Sequence, residues 1–516
     1  MSNTLYSQLL LTADRFPDRE AIVHNGTRLT WSELRGQVDG VAAGLLDLEV
    51  QRGDKVAVWL PNIPEWPVVW LATTSIGATL VPINTRYQTG EAAYLIEQSG
   101  ARVLFHLPEF LGTDYTAMVE EIQARQPGLR HVVTVGDDTA LTFNSLAATP
   151  MSDRLAKARA AAEPSDDIIL LYTSGTTGVP KGVRHRHEAL ADVAAMARLM
   201  SVSSSDRLLA HMPFFHVAGS FMAVLTALHT GCTLVCVDRF TGETALRTVQ
   251  AEQCTVVNGV PSHFIMMLTA LDQNSYDLRS VRVGWIAGST IPADLVRGVR
   301  ERFGMDLVVM YGLTETTGVA TATRPDDPLD ALLETVGTPI GNDYEVAIFD
   351  PGSMQPTAHG AEGEVWIRGH RVTSGYHRMP QQTIEALRPD GWFRSGDLGL
   401  IRADGRLRIT GRLKDIFIVG GTNVSPAEIE RTICELGAVA QAQVVGIPDD
   451  RLGEVGMAFV QLRPGQNLRA EDVVDHCARR LARYKVPQRV EFLTDFPTTA
   501  AGKVQKFKLR EYAMQS

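Results

Sequence analysis

At 516 residues the chain is longer than one ordinary domain of about 100–200 residues. Its 45% hydrophobic and 21% charged content excludes a disordered chain, a collagen-like fibre and a small disulfide scaffold. Lys plus Arg is 49 against 59 for Asp plus Glu, and a net charge of −10 argues against non-specific nucleic-acid binding, which needs clustered positive charge.

The N-terminal residues carry no basic stretch and too short an apolar run for a signal peptide, so a cytoplasmic location is expected. The apolar stretch from Val56 to Ile83 is broken by Pro61, Asn62, Pro64, Glu65 and Pro67 and does not read as a membrane span. Buried strands are predicted at Lys55–Leu60, Ile168–Tyr172, Thr233–Val237, Val281–Ile286 and Leu307–Met310. A helix is predicted over Glu188–Met200, with Leu190, Val193, Ala197 and Met200 on one face. Such alternation argues for an α/β fold with parallel-rich sheets flanked by helices.

After Arg412 the pattern changes. Helices at Ala427–Leu436 and Ala470–Ala482 and strands at Gln443–Ile447, Met457–Leu462 and Val490–Leu493 make a small α+β unit. The expected division is a large domain, 1–413, and a small C-terminal domain, 414–516, meeting at Gly411-Arg-Leu-Lys-Asp415. Five cysteines, an odd number, argue against a disulfide framework; Cys232 and Cys236 read as buried structural residues of a strand.

The segment Tyr172-Thr-Ser-Gly-Thr-Thr-Gly-Val-Pro-Lys181-Gly182 follows a predicted strand and has the composition of a polyphosphate cradle. Its glycines allow a tight loop whose N–H groups can converge on an anion. Thr173, Ser174, Thr176 and Thr177 add hydroxyl donors beside Gly175 and Gly178, and Lys181 adds a charge. No Gly-Lys-Ser/Thr follows at Walker A spacing, and the Gly-x-Ser-x-Gly of a nucleophile elbow is missing.

This loop resembles the signature of the adenylate-forming superfamily, which includes acyl-CoA synthetases, firefly luciferase and nonribosomal-peptide adenylation domains. Further matches follow in the family's order: Pro213-Phe-Phe-His216, Tyr311-Gly-Leu-Thr-Glu315, Gly391-Trp-Phe-Arg-Ser-Gly-Asp397, Gly411–Asp415, Gly420-Gly-Thr-Asn-Val-Ser-Pro426 with Glu428 and Glu430, and Gly502-Lys503. The resemblance covers nearly the whole chain. It implies a large ATP- and acid-binding domain and a small mobile domain. It also implies ATP-dependent conversion of a carboxylate to an acyl-adenylate, with pyrophosphate release, and then transfer to an acceptor.

Both reactants of the first step are anions, and two unit charges at 4 Å repel by about 4 kcal/mol at an effective dielectric near 20. The resemblance makes Lys503 the cation that bridges the carboxylate and the α-phosphate. It makes Glu315 the ligand of Mg²⁺ and Thr314 a donor to the α-phosphate. Tyr311, next to Gly312, would stack on adenine, which Ala287-Gly288-Ser289 would line; the family's usual Gly-Ala-Ala-Pro differs there. Asp397 would accept both ribose hydroxyls, and Arg412 would approach ribose and phosphate. His216 would face the acyl carboxylate, with Val217, Ala218, Gly219 and Ser220 lining an acyl pocket whose small residues suggest room for a bulky acid. Lys414 matches the hinge, and Gly420 and Gly421 would face the acceptor tunnel.

The implied partners are ATP (with AMP as product), Mg²⁺, CoA and a medium-chain, alicyclic or aromatic acid, with no nucleic acid, in a monomer or homodimer. An amine acceptor, giving an amide, and a carrier-protein acceptor stay open; Gly437-Ala438 replaces the family's usual His-Pro on the acceptor side. A nucleotide-binding relative without catalysis is disfavoured by the joint presence of Lys503, Glu315 and Asp397.

Overall fold

The computed structural model describes residues 4–136, 141–173, 179–289, 291–341, 344–370, 372–499 and 504–515. The chain is mixed α/β, as the alternation of elements predicts. One six-stranded sheet runs, in spatial order, Lys181–Arg186, Asp167–Thr173, Thr79–Pro82, Lys55–Trp59, Ala101–His106 and His131–Thr134. All its pairings are parallel except that of the edge strand Lys181–Arg186, which folds back antiparallel on Asp167–Thr173. A second parallel assembly joins Arg207–Ala210, Thr233–Cys236 and Glu20–His24. It continues through bridges at Val256 and Gly259 to the parallel pair Val283–Ala287 and Asp306–Tyr311.

The apolar stretch between Val56 and Ile83 folds as strand, helix and strand. Its helix, Glu65–Ser75, has apolar residues all around its axis and is buried at every residue after Glu65, so it is covered on every side. Trp66 and Trp70 are fully buried in the core, and Trp70 Nε1 donates to the Ile168 carbonyl at 3.0 Å. That bond satisfies the one polar atom a buried tryptophan brings with it. Among the described residues no helix is long and apolar enough to cross a membrane. Cys232 and Cys236 are buried and unbridged, and burial pushes the Cys232 thiol up to about 12.

An antiparallel sheet of Glu345–Phe349, Gly363–Arg368, Phe393–Ile401 and Leu407–Arg412 follows. It leads into Phe417–Val419, Thr422–Val424, Val439–Asp449 and Gly453–Leu462, with Arg489–Phe492 parallel to the last of these. The C-terminal sheet has its own buried cluster, with Phe417, Val444 and Val460 fully covered by Ile429, Ile433 and Val473 from two helices. Its polar contacts with earlier parts of the chain include Ser425 Oγ to the Thr410 carbonyl at 2.9 Å and Arg463 with Asp294 at 3.5 Å. The last helix face predicted to reach Ala482 ends at Ala478. Pro487 disfavours helix at Val486, and the chain turns through Arg483–Lys485 into the final strand.

Candidate active site

The expected site residues gather at the C-terminal ends of parallel strands, where α/β sheets leave a crevice for ligands. Thr173 ends Asp167–Thr173, Ala287 ends Val283–Ala287, Tyr311 ends Asp306–Tyr311, and His216 follows Arg207–Ala210. Thr173 pairs with Lys181 across the hairpin, so both half-buried ends of the glycine-rich loop are fixed by the sheet. Ser174, Gly175, Thr176, Thr177 and Gly178 lie outside the described residues, as does Lys503.

Three groups of side chains meet around the turn that follows Tyr311. In the first, Asp397 and Arg412 are cross-strand partners in the antiparallel sheet. Arg412 Nε donates to Asp397 Oδ1 at 2.7 Å, and the Tyr311 hydroxyl donates to Asp397 Oδ2 at 2.7 Å. The Asp397 side chain is only 4% exposed, and the Ser395 hydroxyl receives the Asp397 N–H at 3.0 Å. Burial, together with the Asp397 charge, pushes the Tyr311 hydroxyl well above its ordinary range, and the Asp397 carboxylate raises Arg412. The carboxylate expected to receive a sugar diol therefore already has a donor on each oxygen. Each oxygen keeps a second lone pair, so accepting a ribose hydroxyl remains chemically open.

The second group centres on Glu315. The Tyr376 hydroxyl donates to Glu315 Oε1 at 2.9 Å, and the Thr373 N–H donates to the Glu315 carbonyl at 2.7 Å. Lys181 Nζ lies 5.1 Å from the centre of the Tyr376 ring, within cation–π range. Burial and the Glu315 charge raise the Tyr376 hydroxyl. Tyr376 reaches this place because Tyr376 bridges to Val183 and His377 donates to the Gly182 carbonyl, zipping that segment onto the edge strand. Nothing in the uncharged Ser374-Gly375-Tyr376 stretch advertises this in sequence. Thr314, buried, opens the same turn beside Glu315.

The third group is the segment after Pro213. His216 caps the short helix Val217–Gly219, its Nδ1 receiving the Ala218 N–H at 3.4 Å. Ser220 Oγ donates to the His216 carbonyl at 3.0 Å, so this hydroxyl serves the local fold. Gly219 corrects an expectation. A Cβ there would lie 2.1 Å from the Pro213 carbonyl oxygen and 2.5 Å from that of Met212. Its missing side chain is replaced by backbone and does not signal room for an acid. Val217 instead faces the Glu315 turn: its Cγ2 would lie 3.1 Å from a Cβ on Gly318.

Gly288 and Ser289 are exposed just past their strand, Gly288 at φ +96°. Gly312 packs on the Gly318 backbone, where a Cβ would come within 2.5 Å of the Gly318 carbonyl. Lys414 is exposed within the single turn Leu413–Asp415; burial of its ammonium end, and Arg412 beside it, lower its pKa. Gly420 and Gly421 form the exposed two-residue turn of a hairpin, at φ +57° and +84°. Two successive positive φ values are the type I′ geometry that favours glycine.

A magnesium site at Glu315 fits this donor set. Mg²⁺ takes one or two carboxylates and fills the rest with phosphate oxygens and water. Among the described residues no group of three or more His, Cys, Asp or Glu could hold an ion by itself, so an ion at Glu315 would depend on its phosphate partner.

The family model described as AMP-binding enzyme matches residues 10–377, and that of the AMP-binding enzyme C-terminal domain matches 428–503. The chain belongs to the AMP-binding enzyme family. It is an adenylate-forming enzyme related to acyl-CoA synthetases, as the ordered motifs imply. A methyl-dioxo-octahydroindenyl-propanoyl:CoA ligase of Mycobacterium tuberculosis is 40% identical over 504 residues, covering 96% of this chain and 96% of that protein. Among solved structures, the anthranilate CoA ligase AuaEII in complex with anthranoyl-AMP superposes with a TM-score of 0.89 at 27% identity, over 99% of this chain and 97% of that one. The amide bond synthetase McbA of Marinactinospora thermotolerans reaches a TM-score of 0.86 at 29% identity, over 98% and 99%. The AMP-binding enzyme fold thus places this chain beside relatives whose acceptors differ.

Proposed function

We propose that this enzyme joins a ring-bearing or medium-chain carboxylic acid to AMP and then passes the acyl group to CoA. The observation that carries the reading is the near-complete, 40% identical match to a CoA ligase. On this reading the domain boundary falls at 413/414, and residues 414–516 turn about Lys414 between the two half-reactions.

In the first half-reaction the carboxylate oxygen attacks the α-phosphorus of ATP, and the bond to pyrophosphate breaks. The glycine-rich loop and Lys181 hold the polyphosphate, and Thr314 donates to the α-phosphate. Asp397 orients the ribose, and Tyr311 covers the adenine. Lys503 offsets the repulsion between carboxylate and α-phosphate as charge shifts in the transition state. Mg²⁺, bound by Glu315 and phosphate oxygens, would supply neutralisation of the leaving pyrophosphate. His216 faces the acid. In the second half-reaction the thiol sulfur attacks the acyl carbonyl, AMP leaves, and the hairpin turn Gly420–Gly421 borders the acceptor's path.

A second reading, transfer to an amine, is favoured by the likeness to an amide bond synthetase. Incubation with ATP, Mg²⁺, a pool of carboxylic acids, CoA and amino acids, followed by product mass, tests both. A thioester supports the CoA reading and its mass gives the acid. An amide without thioester replaces it, and absence of pyrophosphate release removes adenylation altogether.

A further inference from the structure

The Glu315 turn has a second side that the proposed chemistry leaves unused. Thr317, which ends the turn Thr314–Thr316, sits at φ +56°. That left-handed backbone is costly for a β-branched residue and survives only where the surroundings over-determine it. Here the Thr317 hydroxyl lies 2.5 Å from Asp192 Oδ2 and 2.6 Å from the Thr316 carbonyl oxygen. The Tyr344 hydroxyl lies 3.0 Å from the same Asp192 oxygen and 3.2 Å from the same Thr316 carbonyl. Asp192, in the first turn of the helix Leu190–Leu199, is fully buried. Thr317 is 1% exposed and Tyr344 5%.

A buried carboxylate is costly unless it is well hydrogen-bonded. A carboxylate that gathers hydroxyls from two distant segments does so in one geometry, because both donors converge on one oxygen. With both hydroxyl protons on Asp192, the carboxylate fixes Thr317, and through that residue the backbone of the turn that carries Glu315. Glu315 itself is held by Thr373 and Tyr376. Glu315 is thus held directly by one pair, Thr373 and Tyr376, and its turn by a second, buried pair anchored on Asp192.

We propose that Asp192 is a positioning residue that, through Thr317 and Tyr344, aims the Glu315 carboxylate at the magnesium–polyphosphate site. The inference rests on the reading of Glu315 as the magnesium ligand. Partners that orient a metal ligand typically change metal affinity 10–100-fold when removed, without touching the ion.

The test is the ratio of ATP dissociation constants without and with Mg²⁺, measured by calorimetry in the absence of any acid, beside thermal melting of each variant. Asp192→Asn and Thr317→Val should each reduce the Mg²⁺ enhancement about tenfold, while Thr317→Ser, which keeps the hydroxyl, stays within about twofold of the parent. Thr317→Val retains the buried carboxylate and keeps the test decisive if Asp192→Asn does not fold. A lowered melting temperature with the Mg²⁺ enhancement intact in Thr317→Val would reduce Asp192 to a structural role and overturn the proposal. Glu315→Gln separates the two levels. If it abolishes the enhancement and the rear variants do not, only the positioning role fails. If it leaves the enhancement intact, the reading of Glu315 itself is wrong and the inference falls with it.

Discussion

The turn from Gly312 to Gly318 and the hairpin from Phe417 to Val424 carry glycines for opposite reasons. In the first, Gly312 is required because backbone from the same turn fills the space of a side chain. Side-chain hydroxyls and carboxylates from three other segments hold that turn in place. In the second, Gly420 and Gly421 have positive φ, and Gly421 has open space around it. The Gly420 N–H is held by the Leu452 carbonyl of its own sheet. The contrast separates a part of the site held from several segments from a part attached to a unit with its own core and, among the described residues, few polar ties to the rest. A reaction with one fixed nucleotide and two successive partners needs both.

The comparison breaks most sharply at the end of the chain. Lys503→Ala removes the cation that the motif resemblance assigns to adenylation, and pyrophosphate release should fall about 100- to 1,000-fold. ATP binding measured by calorimetry should hardly change; an unaltered rate would remove the C-terminal unit from the first half-reaction. Gly219→Leu probes the fixed side. Its side chain would enter the Met212–Pro213 backbone, so a loss of about 3 kcal/mol in chemical denaturation is expected, ahead of any change in acid preference. Full stability with a new acid profile would restore the roomy-pocket expectation.

Lys414→Pro sharpens the side proposed to rotate. Thioester formation from a supplied acyl-adenylate should slow about tenfold or more while pyrophosphate release persists. Equal loss of both half-reactions would argue against rotation at this residue. The smallest effect is expected from Gly421→Ala, where a left-handed backbone costs about 1 kcal/mol in thermal melts. A larger fall would mean that the hairpin is packed against something in solution.

Much of this arrangement was legible in the residues themselves. The parallel strands at Lys55–Trp59 and Asp306–Tyr311 read as apolar runs because both their faces are covered. Lys181 and Thr173 were legible because a glycine-rich loop after a buried strand has few other uses. Glu315 and Asp397 required the ordered motifs, since an isolated carboxylate carries no signal of its own. Tyr376, Asp192 and Tyr344 were not legible. Their contacts join segments more than 60 positions apart, which neither periodicity nor local spacing encodes. The antiparallel sheet from Glu345 to Arg412 was also missed, because its strands mix charged and apolar residues and none is a long apolar run. Gly219 misled for a related reason: small size in sequence does not distinguish space for a ligand from space taken by a neighbouring carbonyl.

Arg412 stands two residues before Lys414, and its guanidinium holds the same carboxylate that the ribose would use. Sugar and arginine therefore share one acceptor, and each changes how the other is held. Free energies of binding are reciprocal, so any orientation of the C-terminal unit that changes the Arg412 hold on Asp397 changes AMP affinity, and AMP shifts that orientation by the same factor. Nucleotide occupancy and arm position would then be thermodynamically linked through a single ion pair. The link predicts that Arg412→Gln changes AMP binding by different factors in the parent and Lys414→Pro backgrounds; equal factors would mean that no such coupling exists.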